Sequence, residues 1–195
     1  MYRLHKEKKS MMHKSLKTLI TSLFLFFGLA FHAHSSGDKA QVNWLSIEEA
    51  QERMQEEARM IFVDVYTDWC GWCRRMTNET YAHPVIAEYL NENFYPVKLN
   101  AEQEEPIVFQ GNTFENENIG QRRATHSFAI ALLQGRMSYP SVAFFNEEMQ
   151  LLTAIPGFRP PKGMEAVLAF FNTGAYRVDG DLDAFVASFE GSIAD

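Results

Sequence analysis

The stretch Ile61-Phe-Val-Asp-Val-Tyr-Thr-Asp-Trp-Cys-Gly-Trp-Cys-Arg-Arg75 decides how this 195-residue chain is read. Its opening residues, broken only by Asp64, form the near-continuous apolar run of a strand buried on both faces. A polar, helix-compatible segment follows Cys73. Between the two, Cys70 and Cys73 stand two residues apart at the mouth of the expected helix, the placing for reversible disulfide chemistry. They are the only cysteines in the chain. So close a pair encloses too small a loop to staple a fold, which favours a chemical role.

The neighbours of the pair are read by whether they support that chemistry. Unpaired N–H groups and the helix dipole at Cys70 stabilise a thiolate, and Arg74 and Arg75 add positive charge. Cys70 is therefore the expected nucleophile. Cys73, one turn in and expected to be more enclosed, is the resolving thiol. Trp69 and Trp72 flank the pair, either as packing or as an apolar surface for a substrate chain. A carboxylate inside a buried strand is costly without a partner or a task. Asp64 is thus either a proton acceptor behind the thiols or a solvated strand-end residue. Lys98 stands alone in an apolar strand, residues 94–99. It either pairs with a buried carboxylate such as Asp64 or snorkels at a strand edge.

Charge is unevenly distributed. Residues 1–35 hold six basic side chains and one acid, which leaves the rest with 12 basic and 24 acidic residues, a net of −12. Such a body is a poor partner for nucleic acid. Only His83 and His126 lie outside the leader, too far apart for a zinc site with the two cysteines, so no metal or other cofactor is expected. The leader has a basic start, an apolar run from Leu19 to Phe31, and small residues at Ala33 and Ser35. The run is shorter than the roughly 20 residues that span a bilayer. It reads as a secretory signal peptide, residues 1–35, with no stable membrane insertion after cleavage and a periplasmic or secreted product; an uncleaved membrane anchor is the alternative.

The body follows in order. Residues 36–41 are a polar linker, and residues 42–45 a short first strand. Ser46-Ile-Glu-Glu49 is a capping box that opens a helix running to about Ala58. His83-Pro84 opens another helix. Residues 107–116 read as a hairpin with Gly111-Asn112 at its loop. A short helix over residues 125–134 has His126 at its start, which is either structural or close enough to tune the thiolate. Ser138-Tyr-Pro140 leads into a strand over residues 141–145, a second strand pairs back to Ile155, and helices follow to residue 172 and after Asp181.

This order, with Cys-x-x-Cys at a strand–helix junction, resembles the thioredoxin superfamily over roughly residues 42–172. Five placed features carry the resemblance: the cysteine pair, Asp64 six residues before Cys70, Lys98-Leu99-Asn100 in the third strand, Tyr139-Pro140 at the place of the family's cis-proline, and Gly157 after the fifth strand. It implies an α/β thioredoxin-like fold, a central mixed β-sheet flanked by helices. A hairpin-containing insertion at about 101–126 precedes the proline, and residues 173–195 form a short C-terminal extension. It also implies Cys70 and Cys73 as a redox-active disulfide, Asp64 and Lys98 as the relay that deprotonates Cys73, and Trp69, Trp72, Tyr139, Pro140 and Gly157 as the substrate-facing surface. The implied partners are protein disulfides or thiols and a membrane or exported electron donor, with the protein itself a monomer. Exported thioredoxin-like proteins of the Bacteroidetes type look similar. Between the cysteines stand Gly71 and Trp72, where strong oxidants of the family carry Pro-His, whose histidine stabilises the thiolate. Tryptophan supplies no such charge, which favours a reductase or electron carrier over an oxidase or isomerase. A non-catalytic binding or chaperone module on the same fold is the reading from another class.

Overall fold

Residues Ile61 to Val65 are buried because β1 (Ile61–Tyr66) is an inner strand of a sheet that is covered on both faces. The computed structural model describes residues 41–178 and 180–194, so the expected leader and nearly all of the linker lie outside the described residues. The sheet runs β2-β1-β5-β6, with β2 (Tyr95–Asn100), β5 (Ser141–Phe145) and β6 (Leu151–Pro156). β2 is parallel to β1, β5 antiparallel to β1, and β6 antiparallel to β5. This is the mixed sheet flanked by helices that the sequence implies.

Side chains along a strand point alternately to the two faces, and the core divides accordingly. Ile61, Val63 and Val65 join Val97, Leu99 and Phe145 on one face. It is covered by α1 (Ile47–Glu56), by the hairpin β3 (Ile107–Phe109) and β4 (Asn112–Phe114), and by α4 (Ser127–Leu132). Phe62 and Phe144 join Met76, Ile86, Leu90 and Met164 on the other face. That face is covered by the segment after the cysteines, by α3 (Pro84–Asn93), and by α5 (Pro161–Asn172). Asp64, in phase with Phe62, therefore points under the cysteine-bearing helix, α2 (Gly71–Arg75). Asp64 and Lys98 are register partners across β1 and β2, which places their side chains on the same face.

Several boundaries differ from the sequence reading. The expected strand at residues 42–45 reduces to a single parallel bridge from Leu45 to Val97, because Trp44 turns its ring onto Phe62 and Tyr81 instead of extending a ladder. The capping box is present: Ser46 Oγ accepts from Glu49 N–H at 3.1 Å, and Glu49 accepts from Ser46 N–H at 2.7 Å. The helix stops at Glu56, two residues early. The hairpin loop is Gln110-Gly111, not Gly111-Asn112, with φ of 50° and 74°. Positive φ at both central positions is what a tight twisted hairpin requires. Gln110 is held there by donating from its backbone N–H to Gln51 Oε1 and from its amide to the Met149 carbonyl, each at 2.8 Å. After Arg75 the helix widens into one π-turn, Met76–Thr80, where the sequence reading carried a plain helix.

The chain ends in a 3₁₀ turn (Ala175–Arg177) and α6 (Leu182–Ser188), whose N-cap Asp181 accepts from Ala184 N–H. The last described residues fold back onto α5. There the buried Glu165 carboxylate accepts from the Ser192 N–H and hydroxyl at 2.7 Å each, and from the Ile193 N–H at 3.0 Å. Among the described residues, no helix is long and apolar enough to cross a membrane.

Candidate redox site

β1 delivers the chain to Thr67, whose carbonyl accepts the Cys70 N–H at 3.1 Å. Cys70 then takes the N-cap of α2 in extended conformation, and its Sγ accepts the Cys73 N–H at 3.0 Å. A helix N-terminus offers N–H groups with no intrahelical partner, and here one of them is aimed at sulfur. The two sulfurs form a disulfide. The expectation that Cys73 is the more enclosed of the two does not hold: the residues are 4% and 5% exposed. Their difference is one of position, since Cys70 receives the backbone N–H at the positive end of the helix and Cys73 lies within the first turn.

Two aromatic walls stand beside the disulfide. Trp69, 47% exposed, lies edge-on to Tyr139 at 5.9 Å, donates its indole N–H to Glu102 at 2.9 Å, and carries the Arg123 guanidinium 4.3 Å above its ring. Trp72, 55% exposed, packs on Phe158 at 5.4 Å. The Arg75 guanidinium lies against both rings and is held by the Glu79 carboxylate. The Tyr139-Pro140 peptide bond is cis. The Pro140 carbonyl accepts the Gly157 N–H at 2.8 Å, and Gly157 sits at φ 95°, a conformation glycine adopts freely. Arg159 donates to the carbonyls of Pro156 and Gly157 and so braces that loop.

Beneath lies the charged pair. Lys98 Nζ donates to Asp64 Oδ2 at 2.6 Å and to Thr77 Oγ1 at 3.1 Å. The ammonium sits 4.7, 5.0 and 5.1 Å from the ring centres of Trp44, Tyr66 and Tyr81. Tyr81 donates its hydroxyl to Asp64 Oδ1 at 3.0 Å. Burial pushes the Asp64 carboxyl above its usual range, against the opposing pull of Lys98 and Tyr81. Burial, then the Asp64 charge, pushes the Tyr81 phenol well above its ordinary value.

The structure thus brings Cys70, Cys73, Trp69, Trp72, Tyr139, Pro140 and Gly157 to one surface and sets Asp64 with Lys98 below it. His83 and His126 stand apart as the N-caps of α3 and α4. His126 is fully buried and accepts the Phe128 N–H through Nδ1, the structural role of the two weighed for it. Tyr81, Thr77, Trp44, Phe158 and Arg123 escaped the sequence reading. Trp44 and Phe158 look like core residues in sequence, Arg123 lies in a polar loop, and Tyr81 is brought inward by a π-turn that leaves no periodic signal. The register of Lys98 against Asp64 was the only part of this layer with a sequence cue.

The profile of the Thioredox_DsbH family, described as a protein of unknown function, DUF255, matches residues 32–150. Rat spermatogenesis-associated protein 20 is 33% identical over 73 residues, which are 37% of this chain and 9% of that protein, so the chain matches a small part of that relative. A thioredoxin from Thermus thermophilus superposes with a TM-score of 0.52 at 16% identity, over 72% of this chain and 95% of that one. A thioredoxin-fold protein from Helicobacter pylori gives 0.51 at 17% identity, over 67% and 83%. At these identities the likeness is one of fold.

Proposed function

This chain belongs to the Thioredox_DsbH (DUF255) family, and on that premise we propose that it is an exported thiol–disulfide oxidoreductase, working as a reductase or electron carrier on protein disulfides. The observation that carries the reading is the disulfide at the N-cap of α2, with the Tyr139-Pro140 loop beside it and a buried Asp64–Lys98 pair below. In the reduced protein the Cys70 thiolate attacks a substrate disulfide. A bond forms between Cys70 and one substrate sulfur, and the other substrate sulfur leaves as thiolate. Cys73 gives its proton to the Asp64 carboxylate and attacks Cys70, which restores the Cys70–Cys73 bond and releases the second substrate thiolate. Two electrons pass from the dithiol to the substrate, and a membrane or exported dithiol donor returns them.

The substrate chain lies between the Trp69–Tyr139 and Trp72–Phe158 walls. Trp72 supports the reducing direction, since no side chain between the cysteines adds positive charge to the Cys70 thiolate. On this reading the protein acts as a monomer. The basic, apolar leader supports export.

Trapping tests the reading. Cys73→Ser, expressed in an exporting host, accumulates mixed disulfides through Cys70, and Cys70→Ser accumulates none. Absence of any trapped partner from folded Cys73→Ser would falsify the role given to Cys70. The equilibrium potential fixes direction: a value near the thioredoxin range of about −270 mV is expected, and one near about −120 mV overturns the reducing assignment.

A further inference from the structure

We propose that Tyr81 is a positioning residue of the relay: its phenol holds the Asp64 carboxylate ionised and oriented to take the proton of Cys73. The inference rests on the reading of Cys70 and Cys73 as a redox dithiol.

Tyr81 caps the π-turn that follows α2, with its N–H donated to the Met76 carbonyl at 3.0 Å. It is 3% exposed, edge-on to Trp44 at 5.0 Å and to Phe62 at 6.1 Å, so its hydroxyl has little freedom of direction. That hydroxyl and Lys98 divide the carboxylate between them, one oxygen each. Lys98 in turn bonds Thr77, which lies in the π-turn that continues the helix of Cys73. Both donors to the carboxylate are thereby tied to that π-turn.

The chemistry of the two donors sets what Tyr81 does. Burial favours the protonated acid, whereas a cation and a donated O–H each favour the carboxylate. Removing the hydroxyl leaves Oδ1 buried without a partner. The other charged or titratable groups around Asp64 are Lys98 from β2 and Tyr66 from β1. Arg159 acts on Tyr81 and Asp68 acts on Tyr66. In the resolving step the proton leaves Cys73 Sγ for Asp64, the Cys73–Cys70 bond forms, and the Cys70–substrate bond breaks with its electron pair on the departing thiolate. With a smaller ionised fraction of Asp64 at neutral pH, that step slows.

The test uses the full mature chain and a peptide carrying one disulfide. The rate at which the Cys70 mixed disulfide resolves is followed against pH for the parent, Tyr81→Phe and Asp64→Asn. Tyr81→Phe is expected to move the rising limb to higher pH and to lower the neutral-pH rate about three- to tenfold, while reaching the parental rate on the alkaline plateau. Tyr81→Met fills the site without a hydroxyl, and a shift in the same direction is expected from it should the phenylalanine variant fail to fold. A folded hydroxyl-free variant whose profile overlays the parent overturns the proposal. A failure of the underlying reading looks different: Cys70→Ser then turns over substrate normally, or Asp64→Asn resolves at the parental rate at every pH.

Discussion

Burial raises the Asp64 carboxyl above its usual range, and Lys98 and Tyr81 only partly offset that rise. The consequence for stability has a definite sign. A carboxyl whose folded value exceeds its unfolded value binds protons more tightly when folded. Its stabilising contribution is fully present below the unfolded value and is lost as pH rises through the folded value. Above that range the ionised Asp64 carboxylate therefore weakens the fold. In Asp64→Asn, Lys98 keeps Thr77 and three aromatic rings and is partly exposed, so no isolated buried charge remains. We expect the variant to be more stable than the parent at neutral pH. The difference should shrink as pH falls into the acid range. Denaturant unfolding across pH checks this, and a constant difference would refute the sign. Trp69 gives a second expectation at this scale. An indole nearly half exposed yet fixed by Glu102, Tyr139 and Arg123 is placed for contact with another molecule. Trp69→Ala should raise KM for a protein disulfide roughly tenfold. Turnover of a small aromatic disulfide should change little, and an equal loss on both would make Trp69 a packing residue.

At the scale of elements, what was legible had a local physical cause. The capping box at Ser46 and Glu49 could be read because its donors and acceptors lie within four residues. β1 could be read because burial on both faces leaves an unbroken apolar run. The hairpin was placed one residue off because glycine marks a positive φ without saying which half of the loop it occupies. Gln110 takes the other half only through bonds to Gln51 and Met149, distant in sequence. The π-turn had no sequence mark at all. The segment over residues 101–126 closes through His126, whose N–H reaches the Ala101 carbonyl at 2.8 Å and whose Nδ1 caps α4. Burial lowers the His126 imidazole from its ordinary value. A base with a depressed folded value stabilises the fold above its unfolded value and loses that contribution as pH falls. Protonation also fills Nδ1, which then cannot accept the Phe128 N–H. Hydrogen exchange over residues 113–128, corrected for intrinsic rates, should rise relative to the sheet as pH falls below the ordinary imidazole range. His126→Asn, which retains a capping oxygen, should remove that pH dependence. A parental exchange pattern independent of pH would rule out His126 as the closing point.

Across the whole molecule, a strand buried on both faces implied two layers of core, and the family resemblance implied one surface shared by Cys70, Tyr139 and Gly157. The carboxylate clasp on the tail was not implied, because Glu165 lies in an otherwise apolar helical face and its partners come 27 and 28 residues later. Burial pushes Glu165 up, but the N–H and hydroxyl of Ser192 and the N–H of Ile193 outweigh it and leave the carboxyl below its usual range. Its contribution is therefore present above the unfolded value and lost as pH falls through the folded one, opposite in sign to Asp64. If the clasp holds the tail on α5, Glu165→Ala and deletion of residues 191–195 remove the same interaction. Each should cost about 2–3 kcal/mol near neutral pH, since hydrogen bonds to a charged acceptor are the stronger kind. Together they should cost little more than either alone. Neither should change the rate of disulfide exchange, because no residue assigned to the site lies in the tail. A double-mutant cycle by urea unfolding measures the coupling. Additive losses would mean that the tail is held by Ile193 and its apolar neighbours instead, with the carboxylate a bystander.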